Sequence, residues 1–208
     1  MTIDPLAMEP APPALDVQDP GPLPRSLIAD LRTDHAGETG AVMIYRGILA
    51  VTRHAGLRQF AQGHLATESD HLASIEPLLR RSERSRLLPL WRVAGWLTGA
   101  LPTLLGPRHV YATIEAVETF VDRHYADQIV SIDRHDPAHV NLRLQALRAL
   151  LHTCRTDEVA HRDEACERFL RGGLPPSDQS ECVWQSPRSA SRMASCSAAG
   201  CSPSSRVR

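Results

Sequence analysis

One arrangement, present twice, constrains the fold of this 208-residue chain more than any other feature: a lone glutamate followed, about thirty to forty residues on, by Glu-x-x-His. Glu38 precedes Glu68 and His71, and Glu118 precedes Glu158 and His161. Within each Glu-x-x-His the two side chains share a helix face, because residues three apart are neighbours there. Taken singly, that spacing fits a solvated helix face as readily as a metal site. Paired across helical hairpins it says more. With a turn near Ala55, Glu38 lies about 17 residues before it and Glu68 about 13 after, heights that differ by roughly 6 Å at ~1.5 Å per residue. With a second turn near Asp136-Pro137, Glu118 and Glu158 lie about 18 and 22 residues away, again within about one helical turn.

Four carboxylates and two imidazoles at one level of a four-helix bundle are the donor set for a pair of metal ions. Four buried glutamates without partners would be prohibitively costly, and two divalent cations offset their charge. Oxygen and nitrogen donors without thiolate favour iron or manganese. In the usual bundle arrangement Glu38 and Glu118 are terminal ligands, while Glu68 and Glu158 bridge. Glu115, three residues before Glu118, is a rival that helix height does not separate from it. Asp34 and Asp70 are candidates to orient ligating histidines, and His35 is a supporting residue. His54, His64, His109, His135, His139 and His152 read as surface residues.

The rest of the chain reads as helical with two tails. Residues 1–24 hold seven of the 16 prolines, and 171–208 hold ten serines with little aliphatic content, so neither can offset its ordering entropy by burial. Both are expected to be disordered, leaving 25–170 as one all-α domain. Helices are expected over about Ser26–Thr52, Leu57–Arg81, Arg108–Asp133 and Ala138–Leu170, with breaks at His54–Gly56 and His135–Pro137, the proline placed at a helix start. Net charge is -1, which gives no global case for nucleic acid. Five cysteines without a C-x-x-C pair argue against a disulfide framework and a cysteine-ligated zinc site, in favour of a reducing compartment. The N-terminus lacks the pattern of a secretory signal or transit peptide.

Residues 87–106, LLPLWRVAGWLTGALPTLLG, are almost wholly apolar and interrupted by Pro89 and Pro102. Twenty such residues could nominally span a bilayer. Arg92 argues against it, since arginine near the centre costs roughly 2.5–3.5 kcal/mol. A segment covering the bundle or lying on a membrane surface remains. Trp91 and Trp96, preceded by Arg80, Arg81, Arg84 and Arg86, suit an anionic membrane.

The stretches LRTDHAGETGAVMIYRG at 31–47, ESDHL at 68–72, 87–106, AVETFVDRHYADQI at 116–129 and DEVAH at 157–161 closely resemble the Coq7 family over residues 25–170. That family comprises the di-iron demethoxyubiquinone hydroxylases, or 3-demethoxyubiquinol 3-hydroxylases, of ubiquinone biosynthesis. The resemblance implies a ferritin-like bundle bound peripherally to a membrane, here the cytoplasmic side of a bacterial inner membrane. It implies two iron ions held by Glu38, Glu68, His71, Glu118, Glu158 and His161, and Glu118 is favoured over Glu115 by the family match. Dioxygen is the implied co-substrate, NADH or a redox partner the reductant, and a polyprenyl quinone the substrate. A lipid-binding accessory protein is an implied partner. His124 and Tyr125 match a family pair associated with electron delivery or quinone contact. Thr119 and Ala160 stand where the family usually has glutamate, and the Ser-rich tail replaces a further apolar helix. No G-x-G-x-x-G loop indicates a resident nicotinamide domain. A ferritin-like iron-binding protein with a ferroxidase centre is the alternative, and the apolar 87–106 segment has no use in a soluble storage cage.

Overall fold

The computed structural model describes residues 23–171. The leader and tail expected to be disordered lie outside the described residues, apart from Leu23, Pro24 and Arg171. Within that range the chain is all-α: α1 (Arg25–Val51), α2 (Ala55–Ile75), two short 3-10 turns (Glu76–Leu78 and Arg81–Glu83), α3 (Leu88–Leu105), α4 (Pro107–His135) and α5 (Leu142–Arg171). Helices α1, α2, α4 and α5 form a ferritin-like four-helix bundle. Helix α3 is additional and lies against α1 and α4.

Two boundaries differ by several residues from those expected. Helix α2 stops at Ile75 rather than running to Arg81, because Pro77 lacks an N–H and tightens the chain into a 3-10 turn. Helix α5 starts at Leu142, not at Ala138. Asp136 holds the intervening loop by accepting from the Val140 and Asn141 amides at 3.0 Å each. Asn141 then caps the helix by accepting from Leu144 N at 3.1 Å. The apolar 87–106 segment is a single helix that neither proline breaks. Pro89 sits in its first turn, where no amide is needed. Gly106, at φ 109, makes the left-handed turn into Pro107 at the start of α4.

Helix α3 approaches α1 closely enough to exclude side chains. A Cβ on Gly95 would overlap the Gly40 carbonyl oxygen, and one on Gly99 would overlap that of Ile44. Its opposite face is bare: Leu87, Leu90, Val93, Leu101, Leu104 and Leu105 are all more than half exposed. No helix among the described residues is long and apolar enough to cross a membrane.

Two apolar clusters fill the bundle. One, around Leu27, Leu31, Ile75, Ile132, Leu147 and Leu151, packs one end. The other, around Ile48, Leu57, Phe60, Val110, Tyr111 and Ile114, packs the other end. A polar layer lies between them. Among the cysteines of the described residues, Cys154 is a buried free thiol.

Candidate metal centre

The layer between the two clusters contains Glu38 from α1, Glu68 and His71 from α2, Glu118 from α4, and Glu158 and His161 from α5, all buried. Their donor atoms fall into two groups that share two residues. Glu38, Glu68, His71 and Glu158 form one, and Glu68, Glu118, Glu158 and His161 the other, with the donor atoms of each group within 4.8 Å of one another. Glu158 turns Oε1 toward His71 Nδ1 at 3.2 Å and Oε2 toward His161 Nδ1 at 3.8 Å. Glu68 does the converse, with Oε1 3.0 Å from His161 Nδ1 and Oε2 3.8 Å from His71 Nδ1. Each therefore offers one oxygen to each group. Glu115 is only half-buried and belongs to neither, so the fold separates it from Glu118 where helix height did not.

The protein leaves these atoms without partners. Among the described residues twelve buried side-chain nitrogens and oxygens lack a hydrogen bond, and eight of them belong to these six residues. They are Glu38 Oε2, Glu118 Oε2, both oxygens of Glu68 and of Glu158, and Nδ1 of His71 and His161. Buried polar atoms are ordinarily paired, so eight orphans gathered in one layer mark a place that could hold cations. Burial pushes the carboxyls of Glu68 and Glu118 well up from the ordinary range, raises that of Glu38, and takes Glu158 to about 8. Burial likewise lowers His161 to about 3, with His64 and His71 adding repulsion. Without cations the layer favours neutral acids and a neutral His161 imidazole; divalent ions oppose the neutral acids. The donor set thus fits two cations that take oxygen and nitrogen ligands.

Three of the outward-facing atoms have a hydrogen-bond partner. Tyr125 donates to Glu38 Oε1, and Tyr45 donates to Glu118 Oε1 at 2.9 Å. Each tyrosine lies seven residues after the lone glutamate of its own helix yet serves the glutamate of the other. Tyr125 is fully buried. Asp157 pairs with His71 Nε2 at 3.1 Å. The two aspartates expected to orient ligating histidines do not: Asp70 is exposed, and Asp34 is bonded to His124 Nε2 at 3.0 Å and Gln128 Nε2 at 2.7 Å. His124 is partly exposed, with the Phe120 ring stacked beside it at 6.4 Å.

Of the histidines read as surface residues, His109, His135, His139 and His152 are exposed. His54 caps α2 by accepting from Leu57 N at 3.1 Å. His64 is different. It is buried, packed against the His161 ring with centroids 4.0 Å apart, and bonded to Glu164. Its position four residues before Glu68 puts it on the donor-bearing face of α2, but says nothing of the residues it meets on other helices. His35 is buried beside Glu76 at 3.8 Å and forms no hydrogen bond or ion pair with the six donor residues.

Comparison with known proteins agrees with this geometry. Over 146 residues the chain is 41% identical to the 3-demethoxyubiquinol 3-hydroxylase of Rhodospirillum rubrum, covering 68% of this chain and 65% of that one. It is 36% identical over 135 residues to the NADPH-dependent 3-demethoxyubiquinone 3-hydroxylase, mitochondrial, of Homo sapiens, covering 64% and 60%. Against the 3-demethoxyubiquinol 3-hydroxylase of Bordetella petrii it is 31% identical over 171 residues, covering 81% and 69%. The chain thus spans a little under two thirds of the length of the first two relatives. The pattern that defines the family described as "Ubiquinone biosynthesis protein COQ7" matches residues 25–178, and with the helical bundle and its paired Glu/His groups this places the chain in the COQ7 family.

Proposed function

We propose that this chain is a two-iron monooxygenase that hydroxylates the ring of a demethoxyubiquinone-type intermediate in ubiquinone biosynthesis. The eight unpartnered donor atoms carry the reading. Glu38 and His71 hold one ion, Glu118 and His161 the other, and Glu68 and Glu158 serve both. Iron bound there supplies dioxygen activation, with NADH or a redox partner as the source of electrons.

The chain's own residues supply the setting for that chemistry. Tyr45 and Tyr125 keep the inner oxygens of Glu118 and Glu38 free by occupying the outer ones. Burial raises both phenols well above their ordinary range, so they remain donors at neutral pH. The two apolar clusters keep bulk water from both sides of the layer. The half-exposed His124, one residue from the buried Tyr125 that reaches Glu38, is the proposed point of quinone contact or electron entry. The bare face of α3 is the proposed contact with the cytoplasmic side of an inner membrane, where a polyprenyl substrate resides. A lipid-binding accessory protein is the further proposed partner.

The test supplies demethoxyubiquinol, dioxygen and reductant to the iron-loaded full chain in lipid vesicles, with the quinone analysed by mass spectrometry. A product heavier by one oxygen atom is expected. Iron-loaded protein that yields no such product overturns the hydroxylase reading. Iron(II) oxidation without ring hydroxylation would point instead to a ferroxidase.

A further inference from the structure

The two proposed metal positions are built differently. On one side His71 is fixed by a carboxylate, Asp157, hydrogen-bonded to its outer nitrogen. On the other, no hydrogen-bond partner holds His161 Nε2 among the described residues. His161 has instead the ring of His64 packed against it, with centroids 4.0 Å apart and the ring planes tilted by 43°. His64 is buried, and its two nitrogens reach in opposite directions. Nε2 is 2.9 Å from Glu164 Oε2, and Nδ1 is 3.3 Å from the Tyr45 hydroxyl, which donates to Glu118. Glu164 is itself held by Arg168, whose Nε donates to its other oxygen at 2.8 Å. Arg168 also lies over the Phe60 ring at 5.2 Å, and Phe60 packs on His64 at 4.1 Å. One imidazole therefore reaches both residues assigned to the second position alone: His161 by ring contact and Glu118 through Tyr45.

We propose that His64, gripped by Glu164, is the positioning residue of the Glu118–His161 metal position, and that the Glu38–His71 position does not depend on it. The inference rests on the two-metal reading above. Residues that orient metal ligands from outside the coordination sphere are commonly worth about 10- to 100-fold in affinity. The inequivalence should therefore appear as a split in affinity between the first and second ion bound.

The experiment titrates cobalt(II), followed by visible absorption, into the metal-free full chain. Wild-type protein is expected to take two ions per chain; fewer than two overturns the two-metal reading itself. His64→Leu keeps bulk beneath His161 but removes both nitrogens. It is expected to bind one ion as wild type does, and the second about tenfold or more weakly with an altered absorption band. Glu164→Ala releases the grip from a partly exposed site and is expected to act in the same direction without disturbing the core. Glu164→Gln keeps an acceptor for His64 Nε2 and is expected to restore the second affinity, a rescue that a purely structural loss would not show. With two ions still bound by wild type, equal weakening of both in Glu164→Ala and His64→Leu, or no change in either, overturns the role of His64.

Discussion

A single oxygen separates the shared glutamates from the terminal ones. Glu68 and Glu158 each leave both carboxylate oxygens unpartnered, whereas Glu38 and Glu118 each spend one on a tyrosine. Glu158→Ala is therefore expected to remove iron from both positions, taking loading from about two ions per chain to nearly none. Glu38→Ala is expected to retain about one. Metal analysis after gel filtration distinguishes them, and unchanged loading in Glu158→Ala removes that residue from the ligand set. Asp157→Ala frees the outer nitrogen of His71 and is expected to weaken the ion beside it by about 10- to 100-fold. The six donors were legible because glutamate and histidine three apart share a face, and hairpin heights align such faces. His64, Tyr45 and Asp157 were not, because each acts on a residue of a different helix and spacing along one helix carries no such information. Asp70 failed for the same reason: it adjoins His71 in sequence but points to solvent.

At the scale of elements, periodicity located the bundle helices and local chemistry set their ends. Pro77 and Asn141 moved two boundaries by several residues, through a missing amide and a cap. The apolar segment was ambiguous in sequence because hydrophobicity alone does not say which face is buried. Its glycines do. Gly95 and Gly99 lie where α3 meets the α1 backbone, which fixes the bare face on the other side. Gly99→Ala is expected to destabilise the fold by about 1–3 kcal/mol, since backbone must move to admit the methyl group. Gly63, in the middle of α2 and exposed, has nothing within 4 Å of an added Cβ. Gly63→Ala is expected to stabilise by about 0.5–1 kcal/mol. Thermal unfolding of the two variants should move in opposite directions; a common sign would refute the close packing of α3 on α1.

For the molecule as a whole, the buried layer links folding to pH and to metal. In the metal-free fold Glu158 is pushed up to about 8 from an ordinary 4.5, and Glu38, Glu68 and Glu118 are raised too, all chiefly by burial. An acid whose folded value lies above its unfolded one holds a proton that the unfolded chain has released. Its contribution to stability is complete below pH 4.5 and is lost as pH rises through the folded value. His161, lowered to about 3 from 6.5, works the other way: it penalises folding below 6.5 and is silent above. Buried His64 and His35, also lowered, add to that acid-side penalty. The opposing slopes partly cancel between 4.5 and 6.5, so the loss of stability should be steepest from 6.5 to about 8. There the raised carboxyls lose their protons, as does His124, which its hydrogen bond to Asp34 raises above 6.5, and chelator-treated protein should lose several degrees of melting temperature. Divalent ions invert the dependence, because they bind the ionised carboxylates and compete with the protons. Cobalt-loaded protein should hold or gain melting temperature over the same window. A chelated protein whose melting temperature rises from pH 6.5 to 8 would show that the glutamates are not buried together as the fold places them.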